Sequence, residues 1–490
     1  MNPMTSIFRW LDERLDLRRA KRDLLDREVP DRLTWWHTLG SATLTVFIVQ
    51  VITGTTLATY YSPSPDHAYD SIQFLGRAVA SGALLRGIHH WGASAMVVLI
   101  VAHVIRVFSV GAYKYPREIN WVLGVGLFLI VMGFSFTGYL LPWDQKAYWA
   151  TAVGTNIAGT TPLIGGALVA VLRGGSELGA ATLARFYAFH VLWLPLLLTV
   201  LVALHLVVVV RQGIAARPRG LELGAPRTAK DPAYPGYYRE AYAASKRGGV
   251  RFWPDILGKD AVVSASVVLL IVLLAAVFGA PLEAPADPTD TAYIPRPEWY
   301  FLPIYQLLKL VPGSMESLIA VGVPTVFVLV LVALPFFDRR STRNLLHRPA
   351  AMVSLALVLG GAGFLIGAAG RAPKEAAVEG GRPLTSIERA GRALYQSQQC
   401  GGCHRMAGQG GEEGPDLTAV GLRHSAGWLH SFIESPGRFH AESRMPSYGP
   451  PALTHQEIEE LAQYLSSRRG RGGANVAPQF YDTFPPPRRP

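Results

Sequence analysis

Charge is what this 490-residue chain has least of: 17% of residues are Asp, Glu, Lys or Arg against 50% hydrophobic, a balance that excludes an ordinary soluble enzyme. Cysteine is nearly absent as well. Cys400 and Cys403 are the only two and share one short segment, so no disulfide framework is expected. The N-terminus lacks an apolar run, its first thirty residues being charged throughout. No secretory signal is therefore expected, and export of any part must come from internal membrane spans.

Apolar stretches of bilayer-crossing length, about 17–25 residues, recur seven times, at roughly 36–60, 91–112, 120–141, 187–210, 261–280, 318–336 and 350–369. The buried helices of a large soluble protein would not supply so many nearly charge-free runs. The net charge of +11 would suit a nucleic-acid partner, so the placement of the basic residues decides. Arg14, Arg18, Arg19, Lys21 and Arg22 precede the first span, and Lys114 and Arg117 separate the second from the third. Arg211, Arg217, Arg219, Arg227, Lys230, Lys246 and Arg247 follow the fourth, and Arg339, Arg340 and Arg343 follow the sixth. The alternate loops are poorer in both. By the positive-inside rule the N-terminus is cytoplasmic and everything after the seventh span is periplasmic. Topology accounts for the charge, and no nucleic-acid partner is expected.

The expected organisation is all-α. An amphipathic cytoplasmic N-terminus (1–32) leads to a four-helix membrane domain (33–215), a cytoplasmic loop (216–260) and a three-helix membrane domain (261–371). From Ala372 the composition turns to Gly, Pro, Glu and Arg, giving a linker (372–384), a small helical domain (385–470) and a disordered tail (471–490).

Cys400-Gly-Gly-Cys403-His404 has the C-x-x-C-H spacing of covalent c-type haem attachment. Two thiols three residues apart reach the two vinyl groups of one haem, and the adjacent imidazole is placed to bind its iron. A zinc site would need two further Cys or His at suitable spacing, and a redox dithiol has no use for the histidine. Met406 is too close to His404 to reach across a haem. His424, His430, His440 and His455 read as surface residues.

Ionisable residues at membrane depth are functional candidates. His89 and His103 bracket the second span fourteen residues apart, and His190 and His205 bracket the fourth fifteen apart. At about 1.5 Å per residue each pair is separated by roughly 21–22 Å, and fourteen residues is close to four whole turns. Two such helices side by side would hold two haems, one near each membrane surface, each between one imidazole from either helix.

These residues also carry a resemblance. Leu-Leu-Arg-Gly-Ile-His-His-Trp-Gly-Ala-Ser at 84–94, Gly138-Tyr139-Leu-Leu-Pro-Trp143, Arg185-Phe-Tyr-Ala-Phe-His190 and Pro297-Glu298-Trp299-Tyr300 resemble segments of cytochrome b in the bc-type quinol–cytochrome c reductases. The fifteen-residue spacing and the Val210-Arg-Gln-Gly exit are similar to the split cytochrome b of chloroplasts and Gram-positive bacteria, here continuous with its three-helix partner. The 385–470 segment resembles a class I cytochrome c, with Met445 in its Met-Pro turn as the sixth haem ligand.

The resemblance implies two non-covalent b-type haems, His89 with His190 near the periplasm and His103 with His205 near the cytoplasm, and one covalent c-type haem. Arg86 and Arg185 become candidate propionate partners, and His90 a packing residue. Pro297, Glu298, Trp299 and Tyr300 fall at the family's quinol-oxidation site, which Tyr139 would help bound. Glu298 suits the role of proton acceptor, though without the resemblance the preferred reading is an interfacial carboxylate in an aromatic belt. Oxidation would be bifurcated and coupled to proton translocation. One electron would go to a Rieske iron–sulfur protein and on to the c haem, the other through the b haems to quinone. With both cysteines committed, the Rieske protein must be a separate subunit. A homodimer and a soluble or membrane cytochrome or oxidase as electron acceptor are also implied. The split relatives hold an extra haem on a cysteine where this chain has Thr38, which leaves open only a third haem without that covalent bond. Arg211 and the N-terminal segment are candidates for the cytoplasmic-side quinone site. Two other readings remain: a photosynthetic reductase, and a non-catalytic haem-bearing anchor of a dehydrogenase, which would need neither the Pro-Glu-Trp-Tyr motif nor the last three spans.

Overall fold

A computed structural model describes residues 3–30, 33–215, 226, 228–288, 293, 296–312, 315–371, 384–406, 409–411 and 413–468. Nearly all of the 372–384 linker, part of the 216–260 loop and the whole 471–490 tail lie outside them. The chain divides into two compact units, Met1–Ala286 with Pro295–Gly370, and Asp287–Ile294 with Arg371–Pro490.

In the first unit, α1 (Pro3–Leu15) and α2 (Leu17–Leu24) lead into a short strand, β1 (Glu28–Val29). Helices α3 (Leu39–Ala58), α4 (Ala68–Ala78), α5 (Gly82–Ser109), α6 (Glu118–Leu140), α7 (Gln145–Gly159), α8 (Gly165–Arg173), α9 (Ala180–Ala188) and α10 (Leu194–Gln212) follow. A π turn over Phe189–Trp193 joins α9 to α10 in one continuous rod. Then come α11 (Tyr234–Lys246), β2 (Val250–Arg251) paired antiparallel with β1, α12 (Leu257–Phe278), α13 (Leu302–Leu308), α14 (Val323–Phe337) and α15 (Pro349–Arg371).

Seven helices among the described residues are long and apolar enough to cross a membrane, as expected for a multi-pass chain. Three begin earlier than hydropathy alone places them: the second at Gly82, the fourth at Ala180 and the fifth at Phe252. Charges end an apolar run on paper, whereas a helix continues if they find partners. Arg86 donates to the Ala280 and Pro281 carbonyls at 2.8 and 2.9 Å. Asp260 accepts from Ser41 at 2.6 Å, and Lys259 reaches the Leu33 carbonyl.

Helix α3 packs along α5 and α6 along α10, and α12 covers α5 and α3. A clasp fastens the α5–α6 turn to the segment after α14. Buried Lys114 donates to Asp338 Oδ1, the Arg340 carbonyl and the Thr342 carbonyl at 2.9, 2.9 and 2.8 Å. The Tyr113 hydroxyl also donates to Asp338, and Arg343 bridges to the Gly111 and Tyr115 carbonyls. Burial pulls Lys114 down to about 8 against the attraction of Asp338. Gln212 and Arg117 tie the end of α10 to the same turn.

The second unit is a small helical domain of α16 (Ser386–Ser397), α17 (Ala426–Glu434) and α18 (His455–Ser466), with a two-stranded ribbon, β3 (Arg405–Met406) and β4 (Gln409–Gly410). Capping boxes start α16 (Thr385 with Glu388) and α18 (Thr454 with Glu457). Ile458, Leu461 and Leu465 of α18 enter a core with Tyr395, Trp428 and Leu429.

Candidate haem and quinol sites

His89 and His103 stand on α5, His190 in the π turn and His205 on α10. Helices α5 and α10 do not pack face to face, and the rings project into the space between them. The His89 and His190 ring centroids are 6.3 Å apart. Two imidazoles bound through Nε2 to one metal at about 2 Å per bond put their centroids roughly 6 Å apart, so this pair can hold one iron. The proton positions agree. The Thr53 hydroxyl donates to the Val49 carbonyl and therefore accepts from His89 Nδ1 at 2.9 Å. Thr137 donates to the Gly133 carbonyl and accepts from His190 Nδ1 at 3.2 Å. With Nδ1 protonated on both rings, Nε2 is left as the free ligand.

A glycine faces each imidazole. A Cβ on Gly54 or Gly138 would lie 3.0 or 2.4 Å from Cε1 of His89 or His190. On Gly40 or Gly124 it would lie 3.1 or 3.7 Å from His103 or His205. The glycines on α3 and α6 repeat at the same fourteen-residue interval as the α5 histidines, making a cradle for a flat ligand. His103 and His205 differ from the first pair in that, among the described residues, their buried Nδ1 atoms have no hydrogen-bond partner, although Asn120's backbone faces His205.

The π turn resolves the unequal spacings. Fifteen residues of plain α-helix would turn His205 about 100° further than fourteen do. The Leu194 N–H bonds the Phe189 carbonyl, five residues back, and this wider turn absorbs the surplus residue.

A cavity of about 380 Å³ opens beside His89 and His190 and includes His90, Tyr139, Lys146, Glu298 and Tyr300 on its walls. Glu298 lies in the turn before α13, its carbonyl accepting from Phe301 at 2.9 Å. Pro297 precedes it and Trp299 reaches toward Ser94. The Glu298 carboxylate pairs with Lys146 at 2.7 Å. Tyr139 donates to the Arg296 carbonyl at 3.2 Å. Burial holds the Tyr300 hydroxyl well above its ordinary range, and the Glu298 charge adds to this. Asp144 caps α7 through the Ala147 N–H and also accepts from the Glu283 N–H, fixing this wall to the segment after α12.

Not every sequence candidate converges here. Arg86 lines the cavity but spends its guanidinium on the end of α12. Arg185 is exposed and lies over Gly174 rather than in the cavity. Arg211 is exposed at the end of α10, while His37 and Arg106, which sequence reasoning passed over, both reach the Ala215 carbonyl. Thr38 is buried and donates to the Trp35 carbonyl.

In the small domain, His404 Nδ1 donates to the Pro415 carbonyl at 2.9 Å, freeing Nε2. Gly414 lies against the ring, where a Cβ would come within 2.5 Å. Burial holds the Cys400 thiol up at about 11, and Cys403 is exposed. Met445 packs on the core, whereas Met406 accepts from the Tyr464 hydroxyl at 3.5 Å. His424 and His430 are half-buried rather than exposed, His424 stacking on Trp428. Among the described residues no three His, Cys, Asp or Glu converge to hold a metal ion.

Comparison with known proteins agrees along the chain. Residues 24–213 match the family described as cytochrome b/b6/petB, 285–386 its C-terminal part (b6/petD), and 388–469 cytochrome c. The chain is 46% identical over 220 residues to the menaquinol:cytochrome c reductase cytochrome b subunit of Geobacillus thermodenitrificans, covering 43% of this chain and 98% of that protein. It is 41% identical over 212 residues to cytochrome b6 of Synechococcus elongatus, covering 43% and 99%. A solved structure described as a hyperthermophilic respiratory Complex III matches with a TM-score of 0.63 at 28% identity, over 74% of this chain and 91% of that one. With both cytochrome b parts and a cytochrome c domain joined in one polypeptide, and the b-type and c-type haems those domains carry, the chain belongs to the cytochrome b family.

Proposed function

We propose that the chain is the core subunit of a quinol–cytochrome c oxidoreductase, and that quinol is oxidised in the cavity bounded by Glu298, Tyr300 and Tyr139. The observation that carries this is the presence of His89, His190 and Glu298 on the walls of one cavity, a carboxylate beside a pair of imidazoles fit for an iron. The relatives named for menaquinol support quinol as the substrate.

His89 with His190 would hold one b-type haem and His103 with His205 the second. Cys400 and Cys403 would anchor the c-type haem, and His404 and Met445 would bind its iron. When bound, the haems would supply one-electron transfer, which would let the two electrons of each quinol divide between a separate Rieske protein with the c haem and the b haems leading to quinone. Glu298 takes a proton from the quinol hydroxyl. Pro297 and Trp299 fix the turn that presents it, and Tyr139 and Tyr300 close the cavity around the ring. The basic loops put the N-terminus in the cytoplasm and the cytochrome c domain outside. The complex works as a homodimer coupled to proton translocation, with a cytochrome or oxidase as acceptor.

Staged redox difference spectra with haem extraction test the ligand scheme. Two extractable b haems reduced only by dithionite and one covalent c haem reduced by ascorbate are expected; fewer than two b haems would sink it. Quinol turnover blocked by Rieske-site inhibitors is expected of the assembled complex. Haems without such turnover would mean a passive electron conduit.

A further inference from the structure

Lys146 has no part in the reaction as proposed, yet it makes the closest contact with Glu298. Its Nζ lies 2.7 Å from Glu298 Oε1, with the two side chains 28% and 21% exposed. It is the second residue of α7, where the helix dipole disfavours a cation, so helix chemistry gives no reason for it. Its neighbour Asp144 is no competing partner, because that carboxylate is occupied by the Ala147 and Glu283 amides. The ammonium also sits 5.4 Å from the centre of the Tyr139 ring, which places it on the cavity wall.

Several other groups face Glu298. His90 and Arg86 approach from α5, Tyr139 from α6, and Tyr300 from its own segment. Arg86 donates to the Ala280 and Pro281 carbonyls, whereas Lys146 is in direct contact with the carboxylate.

We infer that Lys146 is a positioning residue for the proton transfer: it keeps Glu298 charged and turned to the α7 wall before quinol binds, and it drives the proton off again afterwards. This rests on the reading of Glu298 as proton acceptor. In the transfer the quinol O–H bond breaks and an O–H bond forms on Glu298, using a carboxylate electron pair, while Lys146 stays an ammonium. One of the quinol's electrons would leave to the b haems and the other to the Rieske cluster, the oxidants already named, and the second hydroxyl would lose its proton to water on the Rieske side as its O–H bond breaks. The pair thereby goes from neutral to a net single positive charge. A half-buried site disfavours that uncompensated charge, so the proton passes to water and the ion pair re-forms.

The test is the pH profile of quinol oxidation by the assembled complex, for wild type, Lys146→Gln, Lys146→Arg and Glu298→Gln. Without the lysine, no ion pair re-forms to help return the proton to water, a loss felt most where protons are abundant. Lys146→Gln should then run about tenfold below wild type on the acid side and converge with it on the alkaline side. Lys146→Arg keeps the charge and should restore the wild-type profile, which a merely structural lysine would not require. If Lys146→Gln does not assemble, Lys146→Met carries the same comparison. A wild-type profile in the uncharged variant, beside an inactive Glu298→Gln, overturns the role of Lys146 alone. Full turnover by Glu298→Gln overturns the proton-acceptor reading itself and this inference with it.

Discussion

At His89 and His190 each Nδ1 donates to a threonine hydroxyl, and Gly138 leaves no room for a methyl group against His190. At the other end of the same helices, His103 and His205 have no hydrogen-bond partner on Nδ1 among the described residues, and Gly124 has slack. The first pair is held from within by side-chain hydrogen bonds that fix ring rotation and tautomer. The second is held from outside, by the clasp of Lys114 and Asp338 and by Arg117 and Gln212, which join the ends of α5, α6 and α10. Two ligand sites built on one repeat thus differ in where their rigidity comes from.

The largest effect that can break this comparison is loss of a ligand. His190→Leu and His205→Leu should each remove one b haem, halving extractable b haem and lowering quinol turnover by more than about 100-fold. Loss of both haems in either variant would show that the sites are not independent. A smaller effect separates the tight pocket from the loose one. Gly138→Ala, with its Cβ 2.4 Å from His190, should lose that haem, whereas Gly124→Ala, at 3.7 Å, should keep its own.

The clasp offers a third test. Asp338→Asn breaks a largely buried ion pair and should cost on the order of 3 kcal/mol, read as a lowered melting temperature with earlier loss of the His103/His205 haem. Burial pushes the Asp338 carboxyl up, but hydrogen bonds from Tyr113 and Lys114 outweigh this and hold it below the usual carboxylate range. The stabilisation is therefore complete above that range and disappears as pH falls through the lower, folded value. Acid titration should release the clasp-side haem before the other. The smallest effect is at the threonines. An Nδ1–H that donates makes the imidazole a more basic ligand and favours oxidised iron. Thr53→Val and Thr137→Val should thus raise the midpoint of one b haem, by about 60 mV or less. An equal shift in both haems would erase the distinction between the sites.

Much of this was legible in the sequence because membrane burial makes polar residues conspicuous. Four histidines in apolar runs and a C-x-x-C-H segment point to haem chemistry without any structure. What stayed hidden depends on local partners. Thr53 and Thr137 look like ordinary helix threonines until a ring is seen to face them. Lys146 follows a loop and resembles any interfacial cation until Glu298, far along the chain, is folded against it. Arg86 and Arg185 stand near the histidines in sequence, yet one caps α12 and the other lies over Gly174. The early starts of the second and fifth spans were missed because hydropathy scores a charge without knowing its partner.

The widened turn at Phe189–Trp193 bears on how such a protein can change its length. Adding one residue to a membrane helix ordinarily rotates everything beyond it, moving each lipid-facing side chain into the interior and each ligand out of line. Confined to one turn next to His190, the same addition leaves the rest of the rod in phase. A length change of this kind needs no repair elsewhere, so a lineage can acquire or lose it in a single step without passing through a haem-less ancestor.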